Sequence, residues 1–103
     1  MSRNLTPGWT EDIDYILAVD GTAQDLTDMT VAMIARDSED TLLTLAGAVS
    51  VVDASAGQVR FSPAAADIIV ANQPYRIRFK VTDTESKIAY FPNKEPELWY
   101  VRT

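Results

Sequence analysis

Arg76, Arg78 and Lys80 stand two residues apart in the run Tyr75 to Thr82. In an extended chain that spacing lines all three along one face, with neighbours about 7 Å apart. Such a cationic row suits recognition of an acidic partner, setting orientation more than affinity. Its default fate is neutralisation within the fold by acids of an adjacent strand, such as Asp12 and Asp14 or Glu97. A second group of residues suited to contact is aromatic: Trp9, Tyr90, Trp99 and Tyr100. Rings of this kind stack on sugars or anchor protein interfaces, and the interface is favoured because aromatic anchors dominate protein contacts. Either Trp99 or Tyr100 must face outward from a simple strand, since neighbours alternate. Trp9, beside Pro7-Gly8, belongs to an N-terminal arm that packs onto its own domain or onto a neighbour. Trp9, Trp99, Tyr100, Arg76, Arg78 and Lys80 are therefore the interface candidates.

The sequence offers much less to catalysis. Among its 103 residues there is no Cys and no His, which removes the usual zinc sites, cysteine nucleophiles and every Ser-His or Cys-His dyad. Asp12 and Asp14, with Glu11 and Asp20, could form a cation or acid–base cluster, but a solvated polar sheet face is the default for such alternation. Asp37-Ser38-Glu39-Asp40 lacks the glycine and distal glutamate of a calcium loop and reads as a solvated tip. Ser86 and Lys87, as neighbours on a strand, would point to opposite faces. No catalytic residue, no metal and no cofactor is expected, and the chain reads as a non-enzyme.

Fifteen acidic residues against nine basic ones give a formal net charge of −6. That field repels phosphate backbones and anionic lipid, so neither nucleic acid nor membrane is an expected partner. No stretch approaches the ~18 apolar residues of a spanning helix, and no export signal is recognisable at the start. A chain of this length is expected to form one domain over residues 1–103, with 1–10 as an arm, and to bury about 65% of its unfolded surface.

The elements that must position these residues follow from a period-two pattern broken every eight to twelve residues, the mark of an all-β sandwich or barrel. Tyr75 to Thr82 is the clearest strand, with Tyr75, Ile77, Phe79 and Val81 opposite the basic row. Ile13, Tyr15, Leu17 and Val19 form a stripe ending at the Asp20-Gly21 turn, and Met29 to Arg36 alternates in the same way. Leu42 to Leu45 and Ala48 to Asp53 read as two short strands, or as one with Gly47 at a bulge. Gln58 to Ser62 returns after a four-residue loop. Ser62-Pro63 followed by three alanines predicts a short helical turn before Tyr75, crossing between sheets. Lys87 to Phe91 and Glu97 to Arg102 complete about seven strands. The core expected from these stripes is Ile13, Tyr15, Leu17, Val31, Met33, Val59, Phe61, Tyr75, Ile77, Phe79 and Val81.

Taken in order, Asp20-Gly21-Thr22, Asp25-Leu26-Thr27, Val52-Asp53, Ala56-Gly57-Gln58-Val59-Arg60-Phe61, Ala66-Asp67, Tyr75 to Asp83 and Phe91-Pro92-Asn93 before Trp99 carry a resemblance over nearly the whole chain. The sequence resembles the small immunoglobulin-like sandwich at the N-terminus of phage baseplate upper proteins and related tail proteins. It departs from them in having Asn72-Gln73-Pro74 and the Asp83 to Lys87 turn where glycine is common, and in ending at Thr103 where they continue toward receptor-binding parts. The resemblance implies an immunoglobulin-like antiparallel sandwich and a non-enzymatic virion structural protein. It would be assembled in the host cytoplasm and docked in a symmetric assembly onto tail, baseplate, connector or capsid subunits. A head (capsid) decoration protein and a carbohydrate-binding adhesion module are the alternatives.

Overall fold

We describe a computed structural model of the chain that covers residues 2–19, 21–92 and 96–102. Among these residues it is all-β. The strands are β1 (Ser2–Leu5), β2 (Ile13–Ile16), β3 (Ala18–Val19), β4 (Thr22–Ala23), β5 (Thr30–Arg36), β6 (Leu42–Leu43), β7 (Ala48–Asp53), β8 (Gln58–Ser62), β9 (Tyr75–Thr82), β10 (Ile88–Phe91) and β11 (Glu97–Val101), with one 3-10 turn at Val70–Asn72. The larger sheet has the order β1-β11-β9-β5-β6 with β10 also on β9; the smaller is β2-β8-β7, and β3 pairs only with β4.

Strand β9 is the centre of the larger sheet, and its sequence alternation is realised without a break. Tyr75, Ile77, Phe79 and Val81 are buried, while Arg76, Arg78, Lys80 and Thr82 are half-buried on the other face. On one flank β5 pairs with its full length, Thr30 opposite Thr82 through Arg36 opposite Arg76. On the other flank β11 takes the first residues of β9 and β10 the last, so two successive strands lie end to end.

The two main sheets meet in a sandwich-like core. Phe61 of the smaller sheet lies 5.9 Å from Trp99 of the larger, and Tyr15 of the smaller lies 5.1 Å from Phe79. Of the expected core, Ile13, Leu17, Val59, Phe61, Tyr75, Ile77, Phe79 and Val81 are buried, and Tyr15, Val31 and Met33 pack half-buried against them. Leu5, Leu26, Ala35, Ile68, Phe91, Trp99 and Val101 complete it. The crossover between sheets is fastened by two side chains. The Tyr75 hydroxyl donates to the Asp67 carbonyl and accepts the Ile69 N–H at 2.9 Å. The buried Asp67 carboxylate accepts the N–H groups of Ala46, Gly47 and Ala64 at 2.7 to 2.9 Å.

Several expectations are corrected. The strands outnumber seven, because short ladders form where the sequence shows only turn chemistry. The stripe from Ile13 to Val19 breaks at Leu17, whose N–H donates to the Gly57 carbonyl and whose carbonyl accepts the Gln24 N–H, so Val19 leaves the core for the β3-β4 ladder. Gly57 has φ +70° and the Leu17 and Gln24 backbones against it, which leaves no room for a side chain. Leu42–Leu43 and Ala48–Asp53 form two strands, the first of the two readings, and not one strand bent at Gly47; the register shift lies between Val51 and Asp53. The helical turn forms at Val70–Asn72, because Asp67 caps the preceding segment and the Ser62 hydroxyl turns to Asp12. The N-terminal arm is a strand in part: β1 runs parallel to β11, Arg3 opposite Trp99 and Leu5 opposite Val101. In the turn after β9, Ser86 adopts φ 65° where a glycine was missing. Asp20 of the first turn and Asn93, Lys94 and Glu95 of the last loop lie outside the described residues.

Candidate functional site

Alternation along β9 delivers the basic row to the outer face of the larger sheet, and register decides its neighbours. Arg76 stands between Arg36 of β5 and Leu98 of β11; Arg78 faces Ile34; Lys80 stands between Ala32 and Tyr90. Tyr100 continues the outward positions of β11, with the Arg102 guanidinium 5.4 Å above its ring. Leu42 opposite Arg36, and Ile88 opposite Thr82, are exposed on the same face. The face is thus a field of arginine, lysine, tyrosine and aliphatic side chains, and its arginines and tyrosines are of the types enriched at interface hot spots.

The acids proposed to neutralise the row do not reach it. Asp14 lies on the smaller sheet, directly opposite Arg60, which grips it at 2.7 and 3.2 Å. That hydrogen bond holds the Asp14 carboxyl below its ordinary value and raises the Arg60 guanidinium. Asp12 is 3.7 Å from the same arginine and accepts the Ser62 hydroxyl at 2.7 Å. Glu97 points into the core, where one oxygen accepts from the Tyr15 hydroxyl at 3.0 Å and lies 3.4 Å from Arg3 Nε. Burial, helped by the Glu97 carboxylate, raises the Tyr15 phenol above its ordinary value.

What Arg76 meets instead, among the described residues, is a like charge and one acid. Arg36 and Arg76 are direct cross-strand partners, an arrangement that costs stability. Among the described residues the carboxylate nearest to both is Asp40, 3.6 Å from Arg76 Nη1 and 3.9 Å from Arg36 Nε. Asp40 is delivered by the turn after β5: the Asp37 carboxylate accepts the N–H groups of Glu39 and Thr41, and Asp40 takes φ 66°. The tip read as merely solvated thus carries an acid onto the cationic face. Among the described residues, Ile34, Arg36, Asp40, Arg76, Arg78 and Pro96 line an open hollow of about 310 Å³.

Of the interface candidates, Arg76, Arg78, Lys80 and Tyr100 share this face. Trp99 does not: it is 0% exposed, and its indole N–H donates to the Tyr15 hydroxyl at 2.6 Å. Its parity with Glu97 and Val101 turns it inward, so Trp99 is withdrawn as a surface anchor. Trp9 packs half-buried against its own core and donates to the Glu11 carbonyl at 3.1 Å. Sequence reasoning missed Arg36, Asp40 and Arg102. Arg36 was legible as the polar end of an alternating strand, but its partner strand was not. Among the described residues no three acidic side chains converge as a metal site would require.

A second concavity, about 280 Å³, opens at the seam between β2 and the β10 and β11 flank, lined by Tyr15, Leu17, Ile77, Phe79, Phe91 and Glu97. Among the described residues its one carboxylate, that of Glu97, is already engaged by Tyr15, Trp99 and Arg3. Compared with protein-family models and with curated proteins, the chain finds no match.

Proposed function

We propose that the chain is a non-enzymatic structural module of a phage particle, an immunoglobulin-like sandwich docked onto tail, baseplate or connector subunits through the outer face of its larger sheet. The observation that carries the docking surface is the pairing of Arg76 with Arg36, a like charge, within a cationic and aromatic face of a chain that is acidic overall; among the described residues Asp40 meets both only at 3.6 and 3.9 Å. A fold that only needed stability would place acids across from Arg76, not Arg36.

The immunoglobulin-like reading draws support from the strand order. In that fold one sheet carries the second, fifth and fourth strands and the other the third, sixth and seventh. Here β2-β8-β7 matches the first set and β5, β9 and the β10 and β11 flank match the second, with β1 added parallel on the outside. Tyr75, at the start of β9, bonds back to the backbone of Asp67 and Ile69, as the corner tyrosine of such domains does. The particle itself enters through the resemblance of the sequence to baseplate and tail domains.

Quantitative mass spectrometry of purified virions from the phage encoding the chain tests this reading. A small, ring-like copy number relative to the major capsid protein is expected. A copy number close to that of the capsid protein would move the chain to head decoration, and absence from clean particles would overturn the reading.

A further inference from the structure

We propose that the hollow between Arg36 and Arg76 binds a carboxylate side chain from an acidic segment of the protein partner, taking the position that Asp40 holds in the free chain. The inference rests on the docking role of this face and names the chemistry it reads. The chain itself supplies the precedent, because the one acid that the described residues bring to these arginines is a carboxylate. Asp40 fills that position poorly: it lies 3.6 and 3.9 Å from the nearest guanidinium nitrogens, beyond hydrogen-bond reach, and its side chain is 66% exposed. Arg36 spends one Nη1 donor on the Asp40 carbonyl at 3.0 Å. Among the described residues the Arg76 guanidinium makes no hydrogen bond, so its planar fork can donate two parallel bonds of about 2.8 Å to a carboxylate.

The surroundings favour an acidic protein segment over other anions. Leu98, Ile34, Ala32, Tyr90 and Tyr100 alternate with the cations across the face, so an incoming segment finds apolar and aromatic contact beside each charge. A hollow of about 310 Å³ is at the small end of ligand sites and suits one or two side chains. A phosphate backbone would need a continuous basic track, and apolar and aromatic side chains interrupt the cations here.

The test is an NMR titration of the full chain at low salt with an octaglutamate peptide, read on the arginine Nε–H signals. Saturable shifts at Arg36 and Arg76 are expected. They should vanish in Arg76→Gln and, as a second variant, in Arg36→Gln, with the amide spectrum showing that each is folded. Asp40→Asn keeps a residue tolerant of positive φ and removes the resident charge, so it should tighten binding at least threefold. Silence of both arginines at millimolar peptide would overturn the inference, as would unchanged or weaker binding in Asp40→Asn. Tighter binding of octathymidylate than of the peptide would overturn it in favour of a phosphate reader. Peptide silence would leave the virion reading standing, and absence from virions would leave peptide binding standing, so the two failures are distinguishable.

Discussion

The two outer faces of this molecule solve the same electrostatic problem in opposite ways. On the smaller sheet, Arg60 stands directly opposite Asp14, holds it with two hydrogen bonds and reaches Asp12 as well. On the larger sheet, Arg76 stands directly opposite Arg36, and the acid that joins them is borrowed from a turn and held at long range. Both faces sit on one core, and both arginines stand on strands of regular alternation, β8 and β9, so the difference lies in the residues that register places across from them. The arginine of one face is matched by the carboxylate across from it, and Arg76 of the other is matched by a like charge; we propose that a partner completes the second.

The sharpest way to break that comparison is to show that the faces do not share a body. Trp99 packs between the sheets against Phe61 and Tyr75, so Trp99→Ala should cost about 3–5 kcal/mol. Urea unfolding followed at probes on each sheet should still give one transition; two separated transitions would mean that the faces unfold as independent units.

The seam gives the next largest effect, at alkaline pH. The folded chain holds the Tyr15 proton above the ordinary value near 10, whereas the unfolded chain releases it there. The stability that Tyr15 contributes is complete below pH 10 and declines above it, by up to about 1.4 kcal/mol per pH unit, until the folded phenol itself ionises. Tyr15→Phe should flatten that decline in chemical denaturation between pH 9 and 11.

Acid reads the smaller sheet. Because Asp14 ionises more readily in the fold than in the unfolded chain, its contribution is present above the ordinary carboxylate range and lost as pH falls through its lowered value. Arg60→Gln should therefore lower stability at pH 7 while leaving less to lose below pH 4. A parallel loss in wild type and variant would sink the idea that this face is internally paired.

The larger sheet should show the smallest stability change, and one of opposite sign. Arg76→Thr relieves the repulsion from Arg36 and leaves Asp40 its other partner, so stability should rise by a few tenths of a kcal/mol. A loss above about 1 kcal/mol would show that Arg76 serves the fold.

What the sequence made legible follows the range of the interactions involved. The burial of Tyr75, Ile77, Phe79 and Val81 and the shared face of Arg76, Arg78 and Lys80 depend on alternation alone, which is local. Which acids would meet that row depends on sheet assignment, and nothing in the spacing of Asp12 and Asp14 reveals that β2 joins β8 and not β9. Trp99 and Tyr100 illustrate the same limit. Their run is apolar at consecutive positions, so parity was undetermined until pairing fixed Leu98 opposite Arg76 and turned Trp99 inward. Asp40 was readable as an exposed acid, but its place beside Arg76 arises from a turn in one strand and a register with another. Strand β1 left no signal, because Ser2 to Leu5 is short and mostly polar and its partner is the far end of the chain.

We propose that the larger sheet's outer face docks the chain and the smaller sheet's does not. Two variants competed against wild type for incorporation into particles separate the faces: Arg76→Glu with Lys80→Glu, and Asp14→Asn with Arg60→Gln. Both should fold, as circular dichroism and urea midpoints can verify before the competition. The first variant should be excluded at least tenfold while the second enters as wild type does. Equal entry of the first variant, or exclusion of the second alone, would contradict the proposal.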